Sequence, residues 1–415
     1  MKIKIGVIGL GYVGLPLAFE FSKHYKVFGY DTNTKRIDEL NNGFDKTNEI
    51  ARKDLSTALN IVFSDKINDL KDCNVYIITV PSPIDKDLTP DLSYIKSASN
   101  SVSKLLKAND FVIYESTVYP GCTEEECIPI LEKNSGLKLN KDLFCGYSPE
   151  RINPGDKINT ISKIVKVTSG SNEFAAEFVD NLYSKIIKAG TFKAKSIKVA
   201  EASKAIENAQ RDLNISFMNE ISIIFEKIGI NTYDVLEAAK TKWNFLNFTP
   251  GLVGGHCIGV DPYYLVHKSK RLGYNPEVIL SGRNVNQSIP KNIVSKCIKT
   301  SIKNKIDFNN INVLIVGFAF KENCPDTRNT KVFDIYENFK EYDIKCDIYD
   351  PIVDKEEVKK EYGIQILENI NLVYDIVIYC VPHGVFENFN FKDLMKKNSI
   401  LFDVKNKLKE SILSL

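Results

Sequence analysis

The sequence predicts an α/β protein made of two doubly wound parallel-sheet domains, joined by a long central helix and a small helical domain. Three observations carry that expectation. Short apolar runs rich in Val, Ile and Tyr alternate with longer amphipathic segments, the pattern of a parallel sheet covered by helices. The pattern occurs twice with the same punctuation: IKIGVIG, FGYD and IITVP in the first half return as NVLIVG, DIYD and IYCVP in the second. Between the halves runs one unbroken helical stripe of apolar and small residues.

In chain order, Lys2 to Gly9, Val27 to Asp31, Val75 to Val80 and Phe111 to Glu115 read as strands of a first domain, residues 1–196. A central part, residues 197–300, opens on a helix from about Ile197 to Gly229. There Val199, Ala202, Ile206, Ala209, Leu213, Phe217, Ile221 and Ile224 recur at three- and four-residue steps, enough to connect two domains or to form a dimer seam. Asn312 to Gly317, Lys345 to Asp350, Asp375 to Val381 and Ile400 to Val404 read as strands of a third part, residues 301–415. A chain of 415 residues supports two or three cores, because single cores stop growing at roughly 250 to 300 residues.

Composition excludes several function classes. Lysine and arginine (55) nearly cancel aspartate and glutamate (53), so no long-range field favours nucleic acid or an anionic membrane, and neither is expected as a partner. The apolar stretch Ile3 to Phe21 is interrupted by glycines and a proline, which fits neither a signal peptide nor a membrane span, so a cytoplasmic location is expected. Nine cysteines without a close CxxC pair argue against a disulfide framework and against a structural zinc site, and no metal is expected. Cys73, Cys145, Cys346 and Cys380 lie in or beside strand-like runs and read as buried thiols.

Gly9-Leu-Gly11-Tyr12-Val13-Gly14 follows a predicted strand and opens a predicted helix, and Asp31 ends the next strand, 20 residues beyond Gly11. This context marks a Rossmann-like dinucleotide turn. The glycines allow a tight turn, approach of backbone to a pyrophosphate and close helix packing, while the acid accepts hydrogen bonds from the adenosine ribose. An acid there repels a 2′-phosphate, which favours NAD over NADP, although Arg36 stands nearby. A turn that merely packs helix on strand is the plainer alternative. In the second half the matching turn reads Gly317-Phe-Ala-Phe320-Lys321, without the triplet. It suits the nucleotide part of a second ligand, with Lys321 available to a phosphate or ribose, or else a scaffold with Lys321 solvated.

On the central helix Lys204, Asn208 and Arg211 stand at i, i+4 and i+7, one face roughly opposite the apolar stripe. They form either a donor set for an oxyanion or phosphate, or the wet side of an amphipathic helix. The segment Pro250-Gly-Leu-Val-Gly254-Gly255-His256-Cys257-Ile-Gly-Val-Asp261-Pro262 surrounds one cysteine with glycines and prolines. Such a backbone comes close to a ligand, which makes Cys257 a candidate nucleophile with Asp261 as a possible partner. The alternative is a small core thiol, with His256 filling a structural hydrogen bond.

Taken together, GLGYVGLP, TVPSP, ESTVYPG, YSPER, EASKAIENAQRDLN, PGLVGGHCIGVDP and GFAFKENCPDTRNT, in this order, resemble the UDP-glucose/GDP-mannose dehydrogenase family over essentially the whole chain. The wording of SPERINPGD, TKWNF, GGHCIGVDPYY and KENCPDTRNT looks most like the branch that oxidises UDP-N-acetylglucosamine or UDP-N-acetylgalactosamine. The resemblance implies a four-electron oxidation of a sugar C6 alcohol to a carboxylate with two NAD molecules in turn, through a thiohemiacetal and a thioester on Cys257. It implies that Lys204 stabilises the oxyanions, that Asn208 and Asp261 position the oxygen and a water, that Thr117 lies close to the reacting carbon, and that Glu150 aids thioester hydrolysis.

The resemblance further implies cofactor contacts from Gly9, Gly11, Tyr12, Val13, Gly14, Asp31, Arg36, Pro81, Ser82, Ser116, Thr117 and Arg328. Glu150, Arg151, Lys204, Asn208, Arg211, Gly254, Gly255, Arg283, Phe320 and Lys321 are expected to surround the UDP-sugar, bound between domains, and the central helix is expected to form a homodimer. One departure stands out. Members that use UDP-glucose carry a second glutamate four residues after the position of Glu150, where this chain has Pro154. That fits a bulkier 2-substituent on the sugar, with Arg151 facing the acetamido group, the pyrophosphate or Asp156. UDP-glucose, UDP-N-acetylmannosamine and GDP-mannose remain alternative substrates, and a non-catalytic nucleotide-sugar sensor is a reading from another class.

Overall fold

The computed structural model describes residues 2–57, 60–152, 160–409, 411 and 413–415. The segment carrying Pro154 and Asp156 lies outside the described residues. By packing, the chain forms two compact units: Met1–Glu207 with Tyr263–Asn275, and Asn208–Pro262 with Pro276–Leu415. Among the described residues no helix is long and apolar enough to cross a membrane.

The first unit is built on an eight-stranded sheet. Its strands are β1 (Lys4–Ile8), β2 (Lys26–Tyr30), β3 (Ile61–Ser64), β4 (Val75–Ile78), β5 (Asp110–Tyr114), β6 (Leu143–Tyr147), β7 (Lys166–Gly170) and β8 (Thr191–Lys193), in the order β3-β2-β1-β4-β5-β6-β7-β8. Pairing is parallel except between β6 and β7. All four strands expected in this half are present, with ends shifted by a few residues. The pattern reading missed β3, β6, β7 and β8. Glycine is part of the reason: a Cβ at Gly146 of β6 would stand 2.7 Å from Val179, and one at Gly170 of β7 2.1 Å from the Ala176 amide. Both close approaches bring the helix Glu173–Ser184 onto the sheet, whereas a glycine in a short run reads as a turn.

The second unit holds a five-stranded, all-parallel sheet: β9 (Val313–Val316), β10 (Cys346–Tyr349), β11 (Tyr374–Tyr379), β12 (Met395–Asp403) and β13 (Leu413–Ser414), ordered β10-β9-β11-β12-β13. Ile315, Ile378 and Phe402 from these strands pack against Phe318, Ile335 and Phe339 in its largest apolar cluster.

The shared punctuation of the halves has a structural counterpart. Gly9 and Gly317, at φ +95° and +87°, each follow the first strand of their sheet, and each amide donates to the end of the neighbouring strand: Gly9 to the Tyr30 carbonyl at 2.8 Å and Gly317 to that of Tyr349 at 2.9 Å. Asp31 and Asp350 then accept amide hydrogen bonds from the turn, from Leu10 at 2.8 Å and from Phe318 at 2.6 Å.

The long helix spans Ile197–Ile228; its buried face holds small and apolar residues such as Ala200, Ala205, Ala209 and Met218 but is largely polar, and much of its apolar stripe is exposed. Glu201, Lys204, Asn208, Asp212, Ser216, Asn219 and Ser222 are buried, while Val199, Ile206, Phe217 and Ile224 are exposed within the chain. Hydrogen bonds account for the buried polar face. Glu201 accepts from the Gly121 and Thr123 amides, Asp212 from Arg283 and Asn286, and Asn219 exchanges two bonds with Gly251. A polar face so satisfied can be buried without the cost of orphaned groups.

Candidate active site

In the first unit the glycine turn leads into the helix Gly14–Ser22, whose first turn has no acidic residue and no side-chain cap. Its positive dipole end suits an anionic group, although Leu15 already donates to the Gly11 carbonyl and Pro16 has no amide proton. A Cβ at Gly14 would come within 1.9 Å of the Gly9 carbonyl, so this glycine permits the helix to start against the strand. At Gly11 a Cβ would meet nothing within 4 Å, which leaves the open side of the turn to a ligand. Asp31 is half-buried beside it, its Oδ2 on Leu10 and Oδ1 on the Asn33 amide. The turn and acid therefore fit a dinucleotide.

Arg36, expected at the cofactor, sits behind the glycine turn. It is 8% exposed, and its guanidinium donates to the Leu10 carbonyl at 3.0 Å and to Asp45 at 2.8 Å. The charge that left NADP open is thus engaged in bracing the glycine turn from behind. Ser116 is also buried, its hydroxyl donating to the Val80 carbonyl at 2.6 Å, which ties the end of β5 to the strand-end segment of Pro81 and Ser82; Thr117 beside it is half-buried.

Glu150 sits in a buried cluster that the sequence reading did not foresee. Lys166 Nζ lies 2.9 Å from Glu150 and 2.7 Å from Glu115, and the Tyr183 hydroxyl donates to Glu115. Burial alone would raise both carboxyls. The Lys166 charge with the Arg151 and Ile152 amides outweighs it at Glu150, whose pKa falls; at Glu115 burial wins and the pKa rises. Arg151 pairs with Glu207 at 2.9 Å and donates to the Val165 carbonyl. Lys204, one helical turn before Asn208, is buried in this unit.

In the second unit Asn208 and Asp261 are brought together: the Asn208 amide donates to the Asp261 carboxylate at 2.5 Å and accepts from Arg211 at 3.1 Å. Asp261 opens the helix Asp261–Arg271, and its amide donates to the Cys257 carbonyl at 2.9 Å, so the cysteine stands one turn ahead of it. Cys257 is the one exposed thiol among the nine. The glycine- and proline-rich loop had set it apart in the sequence, and its exposure agrees with that reading.

The loop before Cys257 is latched onto the turn after β9. The Gly255 amide donates to the Asn329 carbonyl at 3.1 Å, the Asn329 side chain donates to the Gly255 carbonyl at 2.8 Å, and His256 meets Asp326 at 3.0 Å. A Cβ at Gly254 would lie 2.6 Å from the Asn329 carbonyl, and one at Gly255, φ +76°, 2.7 Å from the Phe320 ring. Both glycines, expected at the sugar, thus serve contact with protein. Burial, aided by Arg328, pushes His256 down to about 4 against the pull of Asp326, so the imidazole is neutral near pH 7. Arg328 itself grips Asp326 through two nitrogens at 3.0 and 2.7 Å, and the Lys321 ammonium lies 5.6 Å over the Phe320 ring. Arg283, also expected at the sugar, is 2% exposed and donates to Asp212 at 2.6 Å, joining the long helix to the helix Glu277–Lys303.

Family models described as UDP-glucose/GDP-mannose dehydrogenase family, NAD binding domain, central domain and UDP binding domain match residues 3–187, 198–288 and 314–410. The chain is 53% identical over 412 residues to a UDP-N-acetyl-D-glucosamine 6-dehydrogenase of Pseudomonas aeruginosa, with 98% of each chain covered. It is 51% identical over 409 residues to Protein CapL of Staphylococcus aureus, covering 98% of this chain and 96% of that one. Among solved structures, a UDP-D-ManNAc dehydrogenase from Pyrococcus horikoshii matches with a TM-score of 0.89 at 29% identity, covering 99% of this chain and 98% of that one.

Proposed function

The chain belongs to the UDP-glucose/GDP-mannose dehydrogenase family and is an NAD-dependent oxidoreductase, and from that premise we propose that it oxidises the C6 hydroxyl of a UDP-N-acetylhexosamine, UDP-GlcNAc or UDP-GalNAc, to the carboxylate. The observation that carries the reading is Cys257: one exposed thiol, set by a glycine latch one turn ahead of a buried Asn208–Asp261 pair. The similarity to a relative named as a UDP-N-acetyl-D-glucosamine 6-dehydrogenase supports the choice of sugar.

NAD, when bound, accepts a hydride from C6 in each of two oxidations, and Gly9, Gly11, Tyr12, Val13, Gly14 and Asp31 would hold it. The chain's own residues do the rest. Lys204 places a positive charge for the C6 alkoxide and for the oxyanion formed when Cys257 Sγ bonds the aldehyde carbon. Asn208 and Asp261 hold the oxygen and a water. After the second oxidation the sugar is a thioester; water adds to its carbonyl carbon, the carbon–sulfur bond breaks, Cys257 leaves as thiolate and Glu150 takes a water proton. Thr117 lines the reacting carbon, and Arg151, Arg211, Phe320 and Lys321 the nucleotide-sugar. Arg328 is a further proposed cofactor contact. The release of acid from a thioester makes the overall oxidation one-way.

The exposed stripe Val199, Ile206, Phe217 and Ile224 supports a homodimer through the long helix. We place the enzyme in the cytoplasm, making an acidic amino sugar for a surface polysaccharide such as capsule or O-antigen; activity confined to nucleotide-free sugars would sink that role. The primary test is NADH formed per sugar consumed with UDP-GlcNAc, UDP-GalNAc, UDP-glucose, UDP-ManNAc and GDP-mannose offered separately. Two NADH on an N-acetylglucosamine or N-acetylgalactosamine nucleotide is the expected result. Two NADH chiefly on another sugar would overturn the substrate, and none on any would leave a sensor.

A further inference from the structure

The cluster behind Glu150 contains more ionisable groups than the chemistry above employs. Lys166 on β7 is 3% exposed and lies between two carboxylates, Glu115 after β5 and Glu150 after β6. The Tyr183 hydroxyl caps the far oxygen of Glu115, Ser148 faces the same hydroxyl, and the ammonium lies 5.5 Å over the Tyr183 ring. On its other side Glu150 Oε1 accepts from the Arg151 and Ile152 amides, both at 2.6 Å. Every polar contact of Glu150 therefore favours its ionised form, which fixes its orientation but makes it a reluctant keeper of a proton.

Glu115 is in the opposite condition. With both carboxylates ionised and Lys166 protonated, this largely buried group would carry one net negative charge, and one added proton neutralises it. A buried charge is costly unless paired, so the cluster favours that proton. Glu115 is the carboxyl that holds it, since it lacks the two backbone donors that hold Glu150 ionised; its raised pKa agrees with that placement.

We propose that Lys166 is the positioning residue that orients Glu150 and hands the proton Glu150 takes from water inward to Glu115, which stores it during thioester hydrolysis. The inference rests on the thioester reading above. In this step the water oxygen bonds the acyl carbon and the carbon–sulfur bond breaks, with no change of oxidation state. One water proton passes to Glu150; Lys166 gives one of its own protons to Glu115 and, as the neutral amine, takes the proton from Glu150, so the ammonium is restored. The second water proton leaves as the product carboxyl ionises. Glu115 returns its proton by the same path before the next turnover.

The test follows the Cys257 acyl adduct by rapid quench and intact mass, over pH 5.5 to 9, in the full-length enzyme. In wild type the adduct should decay more slowly as pH falls through the range where Glu115 becomes occupied. Glu115→Gln should slow decay by about tenfold or more and abolish that acid limb, with the preceding NADH burst reduced less. Lys166→Arg, which keeps the charge but does not release a proton, and Lys166→Met should both lose the limb; if Lys166→Met does not fold, the near-isosteric Glu115→Gln decides. An unchanged limb and decay rate in Glu115→Gln would overturn the proton store while leaving the thioester intact. Two NADH per sugar from a wild type that never forms an adduct would overturn the thioester reading, and the store with it.

Discussion

Replacing Gly255 by alanine tests whether the cysteine loop is held by its latch. Two costs can be worked from the structure. A side chain at φ +76° pays about 1 to 2 kcal/mol for the left-handed backbone. The new Cβ also stands 2.7 Å from the Phe320 ring, an overpacking that typically costs about 1 to 3 kcal/mol. Together, about 2 to 5 kcal/mol must come out as lost stability or as movement of the loop. At about 2 to 4 °C per kcal/mol for a unit of this size, Tm should fall by at least about 4 °C. If the loop moves instead, a shift of about 1 Å at Cys257 costs about 100-fold in turnover. The assay is steady-state NADH production beside thermal unfolding monitored by circular dichroism. In a double-mutant cycle with Phe320→Ala the ring contribution should vanish and the backbone contribution remain. A Gly255→Ala enzyme within threefold of wild-type turnover and within a degree in Tm would refute the reasoning.

Cys257→Ser should abolish acid product and cut NADH to one per sugar or fewer; full stoichiometry in that variant would remove the thioester. Arg36→Ala leaves Asp45 buried without its cation, a loss of about 3 kcal/mol by analogy with broken buried pairs, and should raise KM for NAD by loosening the Leu10 turn; an unaltered KM would mean that the brace is idle. Phe217→Glu should shift sedimentation toward monomer, and a dimer of unchanged dissociation constant would place the seam elsewhere. His256 has its pKa lowered to about 4 from an unfolded value near 6.5, so the unfolded chain binds more protons between them; stability is complete above about 6.5 and declines toward pH 4. His256→Gln should flatten that part of a Tm-against-pH curve, and a curve of unchanged slope would show that other groups set it.

Much of this was legible in the residues. The two sheets, the long helix and the glycine turn follow from period and punctuation, because an interior strand and a dinucleotide turn leave few acceptable residue types. The polarity of the long helix did not follow. Glu201, Asp212 and Asn219 are buried because partners distant in sequence, at residues 121, 251, 283 and 286, satisfy them, and periodicity sees spacing but not partners. Glu115 stood inside a quoted motif, yet nothing about it pointed to Lys166, which is brought beside it only through the order of β5, β6 and β7. Arg36 was read by its charge and Arg283 through the resemblance; in the structure each is buried against an aspartate, Arg36 against Asp45, outside any quoted motif, and Arg283 against Asp212, far away in sequence.

The repeated turn has a kinetic consequence. In the first half Asp31 keeps an open side, whereas in the second Asp350 is fully enclosed, accepting from Phe318, Ala319 and Ile352 and touching His383. With its acid consumed internally and its glycine triplet missing, the second copy offers no alternative berth for a dinucleotide. If the sugar is oxidised twice through Cys257 as proposed, both oxidations draw on a single berth, and spent NADH departs while the half-oxidised sugar stays tethered to Cys257. Traffic through the Gly9–Gly14 turn, rather than hydride transfer itself, becomes a natural bottleneck, and added NADH should compete most strongly in the interval between the two oxidations.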